Sequence, residues 1–219
     1  MVAVVDIFLK NARRKSVAPR ATIIHAGALP DSIFYIVKGT VEVMIEDEQG
    51  GEMILGYLSD GQFFGEMGLF NSEHPARSAW VRTRTECTLA EMSYARFKQL
   101  SAEHPSLLFE IATQLARRLD RTNRKVTDLA FLDVSGRIAK ALMDLCRAPE
   151  ALSHPDQNGV QIKVSRQELA RLVGCSREMA GRVLKGLQEQ GLIEVKGMTI
   201  VVYNMRNQEP MELTPLARG

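Results

Sequence analysis

The sequence predicts an α+β chain built as a β-rich N-terminal part, one long helix and a C-terminal winged helix-turn-helix. Three observations carry that expectation. Short β-branched and aromatic segments punctuated by glycines recur from Thr22 to Ser93. Leu108, Ala112, Leu115, Leu119, Thr122, Val126 and Leu129 repeat at alternating spacings of four and three. The stretch from Ser165 to Leu192 reads as two short helices joined by a tight turn, and an apolar hairpin follows it.

Composition narrows the possibilities. With 219 residues and 45% apolar content, the chain suits one large or two modest domains with packed cores. A net charge of only +2 does not announce a nucleic-acid binder, so any basic footprint must be local. Cys87, Cys146 and Cys175 are scattered, which suggests neither a zinc site nor a disulfide framework. No apolar run approaches the length of a membrane span, so the expected setting is cytoplasmic with no membrane partner. Nucleophile–base pairs, metal clusters and paired acids are missing from the pattern, and an enzyme is not expected.

In chain order, residues 1–20 read as a short helical start with a basic cluster at Arg13, Arg14 and Lys15, taken as a solvated patch. Val41–Ile45 alternates apolar and polar and turns back through Asp47-Glu48-Gln49-Gly50-Gly51, a hairpin. Many strands at this spacing imply a sandwich or barrel. Within it, Gly65 and Gly68 permit a helical turn whose N–H groups can face an anion. Arg77 offers a permanent planar charge, Ser78 a hydroxyl and Glu66 a pure acceptor. Together they could cradle a nucleotide phosphate and its ribose, although spacing alone favours an ordinary turn with a surface ion pair.

Residues 101–131 are expected to be one helix. Its apolar seam calls for a partner helix, most simply the same helix of a second subunit, while a helix that covers the sandwich would show the same pattern and both can hold at once. Thr122, with Asn123 beside it, breaks the seam and either fixes register or meets a ligand at the junction. Asp133 and Ser135 can cap a further helix reaching about Cys146. Ser153–Gly159 is a polar loop, Val160–Val164 a strand, and Leu192–Val195 with Thr199–Tyr203 the wing. The first helix of the DNA-reading motif spans about Arg166–Val173, with Ser165 and Glu168 as a capping box. Gly174 ends it, and Ser176 caps a second helix over Arg177–Gln190. Arg177, Glu178, Gly181 and Arg182 then stand near the start of a recognition helix, the favoured reading over an ordinary αα-hairpin with charges facing water, which the turn residues also fit.

These residues resemble the CRP/FNR superfamily, specifically its cyclic AMP receptor branch with the Vfr-like and Clp-like relatives. The stretches that carry the resemblance are Gly65–Phe70, Arg77–Arg82, Leu129–Val134, Ser153–Asp156 and Val173–Glu178. The likeness covers about residues 20–203. It implies a cyclic-nucleotide-binding β-roll at 1–100, a dimerisation helix at 101–132, a winged helix-turn-helix at 133–203 and a C-terminal tail at 204–219. It also implies a homodimer that regulates transcription from a two-fold site on double-stranded DNA. Carried over by position, Gly65, Glu66 and Met67 would meet the sugar-phosphate, Arg77 and Ser78 the cyclic phosphate, and Thr122 the purine. Asn123 could reach the other subunit's site. The pattern has serine where Asn123 stands and usually leucine where Met67 stands.

On DNA, Arg177 and Arg182 would read guanine and Glu178 a cytosine amino group in a TGTGA-like half-site, while Ser165, Arg166, Gln167, Ser176 and Lys185 would position phosphates. The loop at Ser153–Gly159 matches the family's RNA polymerase contact surface. Cyclic AMP is the expected effector, with no metal. The Clp-like relatives, associated with cyclic di-GMP, lack the Arg-Ser pair kept at 77–78. A cyclic di-GMP response and a ligand-independent regulator are the alternatives. Iron–sulfur sensing lacks a cysteine cluster, and haem sensing would rest on His74 alone.

Overall fold

The computed structural model describes residues 2–70, 76–148, 151–153 and 159–203. The loop around His74, residues 154–158 of the loop before the third sheet, and the tail after Tyr203 lie outside the described residues. Contacts divide the chain into two compact units, Met1–Ala130 and Phe131–Gly219.

The first unit opens with α1 (Val2–Asn11) and the strands β1 (Arg13–Val17) and β2 (Thr22–Ile24). Next come β3 (Ser32–Lys38), β4 (Val41–Glu46), β5 (Glu52–Leu58), β6 (Phe63–Phe64) and the short helix α2 (Met67–Phe70). β7 (Trp80–Thr83), β8 (Cys87–Ser93), α3 (Tyr94–Glu103) and α4 (Ser106–Phe131) complete it. The strands form two four-stranded sheets, in the orders β1-β8-β3-β6 and β2-β7-β4-β5.

Side chains alternate across β3. Phe34 and Ile36 point into the core between the sheets with Ile24, Val41, Leu58 and Val81. Ile33 points the other way, into a core with Phe8, Phe97, Leu107 and Ile111 of the covering helices. A strand buried on both faces has no polar side to show, which explains the continuous apolar run Ile33–Val37. Asp47 organises the β4–β5 turn by accepting hydrogen bonds from the Gln49 and Gly51 amides at 2.9 and 2.7 Å.

Two expectations need correction. The helical start expected over residues 1–20 ends at Asn11, and Arg13–Lys15 lies in an edge strand paired with β8, with Arg13 and Arg14 exposed as a solvated patch and Lys15 ion-paired to Glu91 at 2.9 Å. The helix expected over 101–131 is two helices: α3 closes at His104, Pro105 follows, and α4 begins at Ser106. Proline cannot donate to the preceding turn and biases the residue before it away from helix. As the sequence allows, α4 also docks on the β-roll, with Leu107, Ile111 and Gln114, a stripe adjacent to the apolar seam. The seam itself stays largely open, with Leu119 62% and Val126 58% exposed.

The second unit comprises α5 (Val134–Cys146), β9 (Leu152–Ser153), β10 (Gly159–Lys163), α6 (Arg166–Val173), α7 (Arg177–Glu189), β11 (Ile193–Lys196) and β12 (Thr199–Tyr203). Asp133 caps α5 by accepting from the Gly136 amide at 2.7 Å. The four strands form one antiparallel sheet, ordered β11-β12-β10-β9. β9 has no counterpart in the sequence pattern, since two exposed residues carry no periodic signal. Ile138, Leu142, Leu169, Val173, Leu184 and Ile200 form this unit's core. Among the described residues no helix is long and apolar enough to cross a membrane.

Candidate functional sites

In the first unit a cavity of about 560 Å³ opens between the β-roll and α4. Gly65, Glu66, Met67, Arg77, Ser78 and Thr122 all line it, so the structure gathers residues spread over 58 positions of sequence around one space. Asn123 is exposed on α4 and is not among the lining residues.

Backbone geometry shapes the floor. Gly65 sits at φ +79°, and a Cβ there would fall 2.9 Å from Arg77 Nη1 and 3.2 Å from the Ser32 carbonyl. Only glycine takes that turn without strain and leaves room for the guanidinium. Arg77, only 8% exposed, donates to the carbonyls of Gly65 and Ser32 at 2.8 Å each. It also donates to the Tyr94 hydroxyl at 3.0 Å and lies over the Tyr94 ring. Tyr94 in turn donates to the Gly65 carbonyl. Burial pushes the Tyr94 hydroxyl above its usual range, more than the nearby Arg77 charge lowers it. The phenol therefore stays protonated and the clamp on Gly65 stays intact. Ser78 is exposed on the same wall.

Glu66 is 3% exposed. Its Oε1 accepts from Arg118 Nη1 of α4 at 2.8 Å, while its Oε2 is buried with no hydrogen-bond partner. An orphaned carboxylate oxygen inside a cavity is costly unless a donor arrives. A ribose hydroxyl is such a donor. Arg118 also donates to the Phe63 carbonyl, and Gln114 accepts from the Phe63 amide at 2.9 Å and donates to Gly61 at 3.0 Å. Further along α4, Lys125 donates to the Ile54 carbonyl of β5, with Leu55 O at 3.4 Å. Burial lowers the Lys125 pKa. One helix is thereby pinned to both walls of the cavity. Sequence reasoning misses Arg118, Gln114 and Tyr94; no motif marks them, and these partners lie 17 to 55 residues away.

In the second unit the helix-turn-helix forms as its local signals require. Ser165 accepts from the Glu168 amide and Ser176 from the Met179 amide, both at 3.1 Å. Gly174 ends α6 at φ +69°. Arg137 of α5, also unmarked by any motif, donates to the Val173 carbonyl at 3.0 Å and to Leu132 O at 2.9 Å, supplying a partner to the end of α6. Ala180 and Leu184 bury one face of α7. Arg177, Glu178, Arg182 and Lys185 stand exposed on it, with Arg166, Gln167 and Ser176 exposed at the starts of the two helices and Ser165 half-buried. The Arg166 stem passes over Gly181, whose added Cβ would be 3.9 Å from Cδ. Lys185 is within 3.7 Å of Glu189. A hydrogen bond from its own backbone amide, with help from Ser176, holds the Glu178 carboxyl below its ordinary range. It is therefore ionised and acceptor-only at neutral pH.

A nucleotide-sized cavity in a β-roll and an exposed recognition helix in a winged unit define a ligand-sensing regulator of the helix-turn-helix class. Residues 14–104 match the cyclic nucleotide-binding domain family, and residues 162–193 match the bacterial regulatory proteins of the crp family. The chain is 53% identical over 203 residues to the cAMP-activated global transcriptional regulator Vfr of Pseudomonas aeruginosa, covering 92% of this chain and 94% of that one. It is 51% identical to the cAMP-activated global transcriptional regulator CRP of Haemophilus influenzae, covering 93% and 89% of the two chains. Among solved structures, the c-di-GMP responsive global regulator CLP of Xanthomonas campestris superposes with a TM-score of 0.88 at 46% identity, covering 93% of this chain and all of that one. The chain belongs to the CRP family of bacterial transcription regulators.

Proposed function

We propose that the protein is a homodimeric, cyclic AMP-activated transcription regulator of the cytoplasm that binds TGTGA-like half-sites in palindromic DNA and contacts RNA polymerase. The observation that carries the effector reading is the unpartnered, buried Glu66 Oε2 in a cavity of nucleotide size that Arg77 and Ser78 also line. Glu66 accepts the ribose hydroxyl, Arg77 and Ser78 hold the cyclic phosphate, and Thr122 offers a hydroxyl to the purine. Two relatives above 50% identity are named for activation by cyclic AMP, which supports the same choice. The open seam on α4 supports a two-fold dimer, because regularly spaced apolar residues left facing water are the signature of a partner helix.

In such a dimer two recognition helices must stand about 34 Å apart to enter successive major grooves. Arg177 and Arg182 read guanine and Glu178 reads cytosine, with Ser165, Arg166, Gln167, Ser176 and Lys185 on phosphates. Shifting a resting dimer from about 1:99 to 99:1 in favour of that arrangement needs roughly 5.5 kcal/mol of differential ligand binding. A contact between Arg77 and phosphate, exchanged for its present carbonyl partners, supplies part of that preference.

Titration calorimetry with cyclic AMP tests the reading. Saturable heat that is lost in Arg77→Ala supports it. No heat with cyclic AMP, or binding unaffected by that substitution, overturns it. A response to cyclic di-GMP alone would instead place the chain with its Xanthomonas campestris neighbour.

A further inference from the structure

The long helix α4 is fastened to the β-roll at successive points along its length. Its first turns bury Leu107, Ile111 and Gln114. Arg118 then reaches Glu66 and the Phe63 carbonyl. Lys125, about two turns further on, donates to the Ile54 carbonyl of β5 and lies 3.4 Å from the Leu55 carbonyl. It is half-buried and is not among the residues that line the cavity. Ala130, where the first unit ends, follows it by little more than one turn.

The carbonyls that Lys125 meets belong to an irregular point of the sheet. β5 is an outer strand, with β4 as its neighbour. Val43 of β4 pairs with Gly56 and Met44 pairs with Ile54, so Leu55 is the extra residue of a β-bulge. A bulge leaves its extra residue outside the ladder and bends the strand there. An ammonium brings three donors on a flexible stem, which suits two adjacent carbonyls. Leu55, Gly56, Tyr57 and Leu58 form one wall of the cavity, and Leu119 and Thr122 of α4 stand in another. Lys125 therefore joins the helix wall to the strand wall at the place where the strand can flex. Val126, the next residue on α4, belongs to the open apolar seam and is 58% exposed. Fixing Lys125 fixes the direction in which that part of the seam faces, because helix neighbours stand about 100° apart.

From this we infer that Lys125 is a positioning residue for the ligand response: its clip on the β5 bulge makes the strand wall and the distal part of α4 move as one body. The inference rests on the cavity being the effector site proposed above. A ligand that displaces β5 then turns the seam and the end of α4 with it. With the clip removed, the cavity still fills but the displacement stays in the strand.

The test compares the full-length parent with Lys125→Met, which keeps an apolar stem and loses the donors, and Lys125→Arg, which keeps donors and charge. Fluorescence anisotropy gives the affinity for a duplex with two TGTGA-like half-sites, with and without saturating cyclic AMP. Calorimetry gives the affinity for cyclic AMP, with and without the duplex. In Lys125→Met the gain in DNA affinity on adding cyclic AMP falls about 10-fold or more, the worth of one hydrogen bond from a charged donor. The gain in cyclic AMP affinity on adding the duplex falls by the same factor, because coupling is reciprocal. Lys125→Arg keeps most of both gains. A residue that only stabilised the fold would lower the thermal midpoint and leave these ratios unchanged. An unchanged gain in Lys125→Met, an equal loss in Lys125→Arg, or a Lys125→Met protein that no longer binds cyclic AMP would overturn the assignment. A parent that binds no cyclic AMP would overturn the effector reading, and this inference with it.

Discussion

Glu66 and Arg118, 52 residues apart, meet at 2.8 Å in the wall of the β-roll cavity, and the pairing leaves Glu66 Oε2 buried without a partner. The pair fixes the carboxylate while keeping one acceptor for a ligand. Removing one member of a buried pair strands the other, at a cost on the order of 3–5 kcal/mol. Arg118→Met is therefore expected to lower the urea midpoint strongly, and adding Glu66→Gln is expected to recover much of the loss. A double-mutant cycle with additive effects would contradict the coupling. The free oxygen makes a second expectation. The parent should prefer cyclic AMP over its 2′-deoxy analogue by about 1.5–3 kcal/mol, and Glu66→Ala should bind both alike.

Gly65→Ala tests the floor of the cavity. At φ +79° an alanine is strained by about 1–2 kcal/mol, and its Cβ would press on Arg77 Nη1 at 2.9 Å. The expected outcome is a thermal midpoint lower by roughly 2–8 °C together with weakened nucleotide binding. Full affinity in a folded variant would show that the Arg77 position is not set by this glycine.

Much of the DNA-reading unit is legible in the sequence, because caps are local chemistry. Ser165, Glu168, Gly174 and Ser176 announce the ends of α6 and α7 within a few residues of the bonds they make. Gly65, Glu66, Arg77 and Ser78 are recognisable by resemblance, although their spacing alone describes an ordinary turn. What stays hidden is long-range. Arg118 looks like any solvated charge on a helix until the fold brings Glu66 beneath it. Gln114 and Tyr94 carry no signature at all. Pro105 is a visible warning that one helix is two, outweighed by the apolar spacing that follows it.

Glu178→Ala should cost about 1–3 kcal/mol of discrimination at one base pair, with little change at the others. Uniform weakening across all sequences would refute a reading role. Because the Glu178 carboxyl is held below its ordinary value of 4.5, discrimination is present above that pH and fades only as pH falls through the lowered folded value. Competition binding to single-base variants of the duplex at descending pH measures both.

Cys146 sets an alkaline limit on the second unit. Burial pushes its thiol from 9.0 up to about 11, against a smaller opposing pull from Arg147. The folded state keeps the proton where the unfolded state releases it. That share of stability is complete below pH 9 and is lost as pH rises through about 11. Denaturant midpoints across this range should fall less steeply for Cys146→Ala than for the parent. Cys87 and Cys175 are also raised by burial, so all three thiols should react slowly with alkylating reagents at neutral pH.

The most direct test of a nucleotide-gated DNA reader is fluorescence anisotropy of a labelled duplex carrying two TGTGA-like half-sites about one helical turn apart. Titration is done with and without saturating cyclic AMP, for the parent and for Arg77→Ala. The account predicts tight binding by the parent only when cyclic AMP is present, with no such gain in Arg77→Ala. Equal affinity for the duplex in the presence and absence of nucleotide would contradict it.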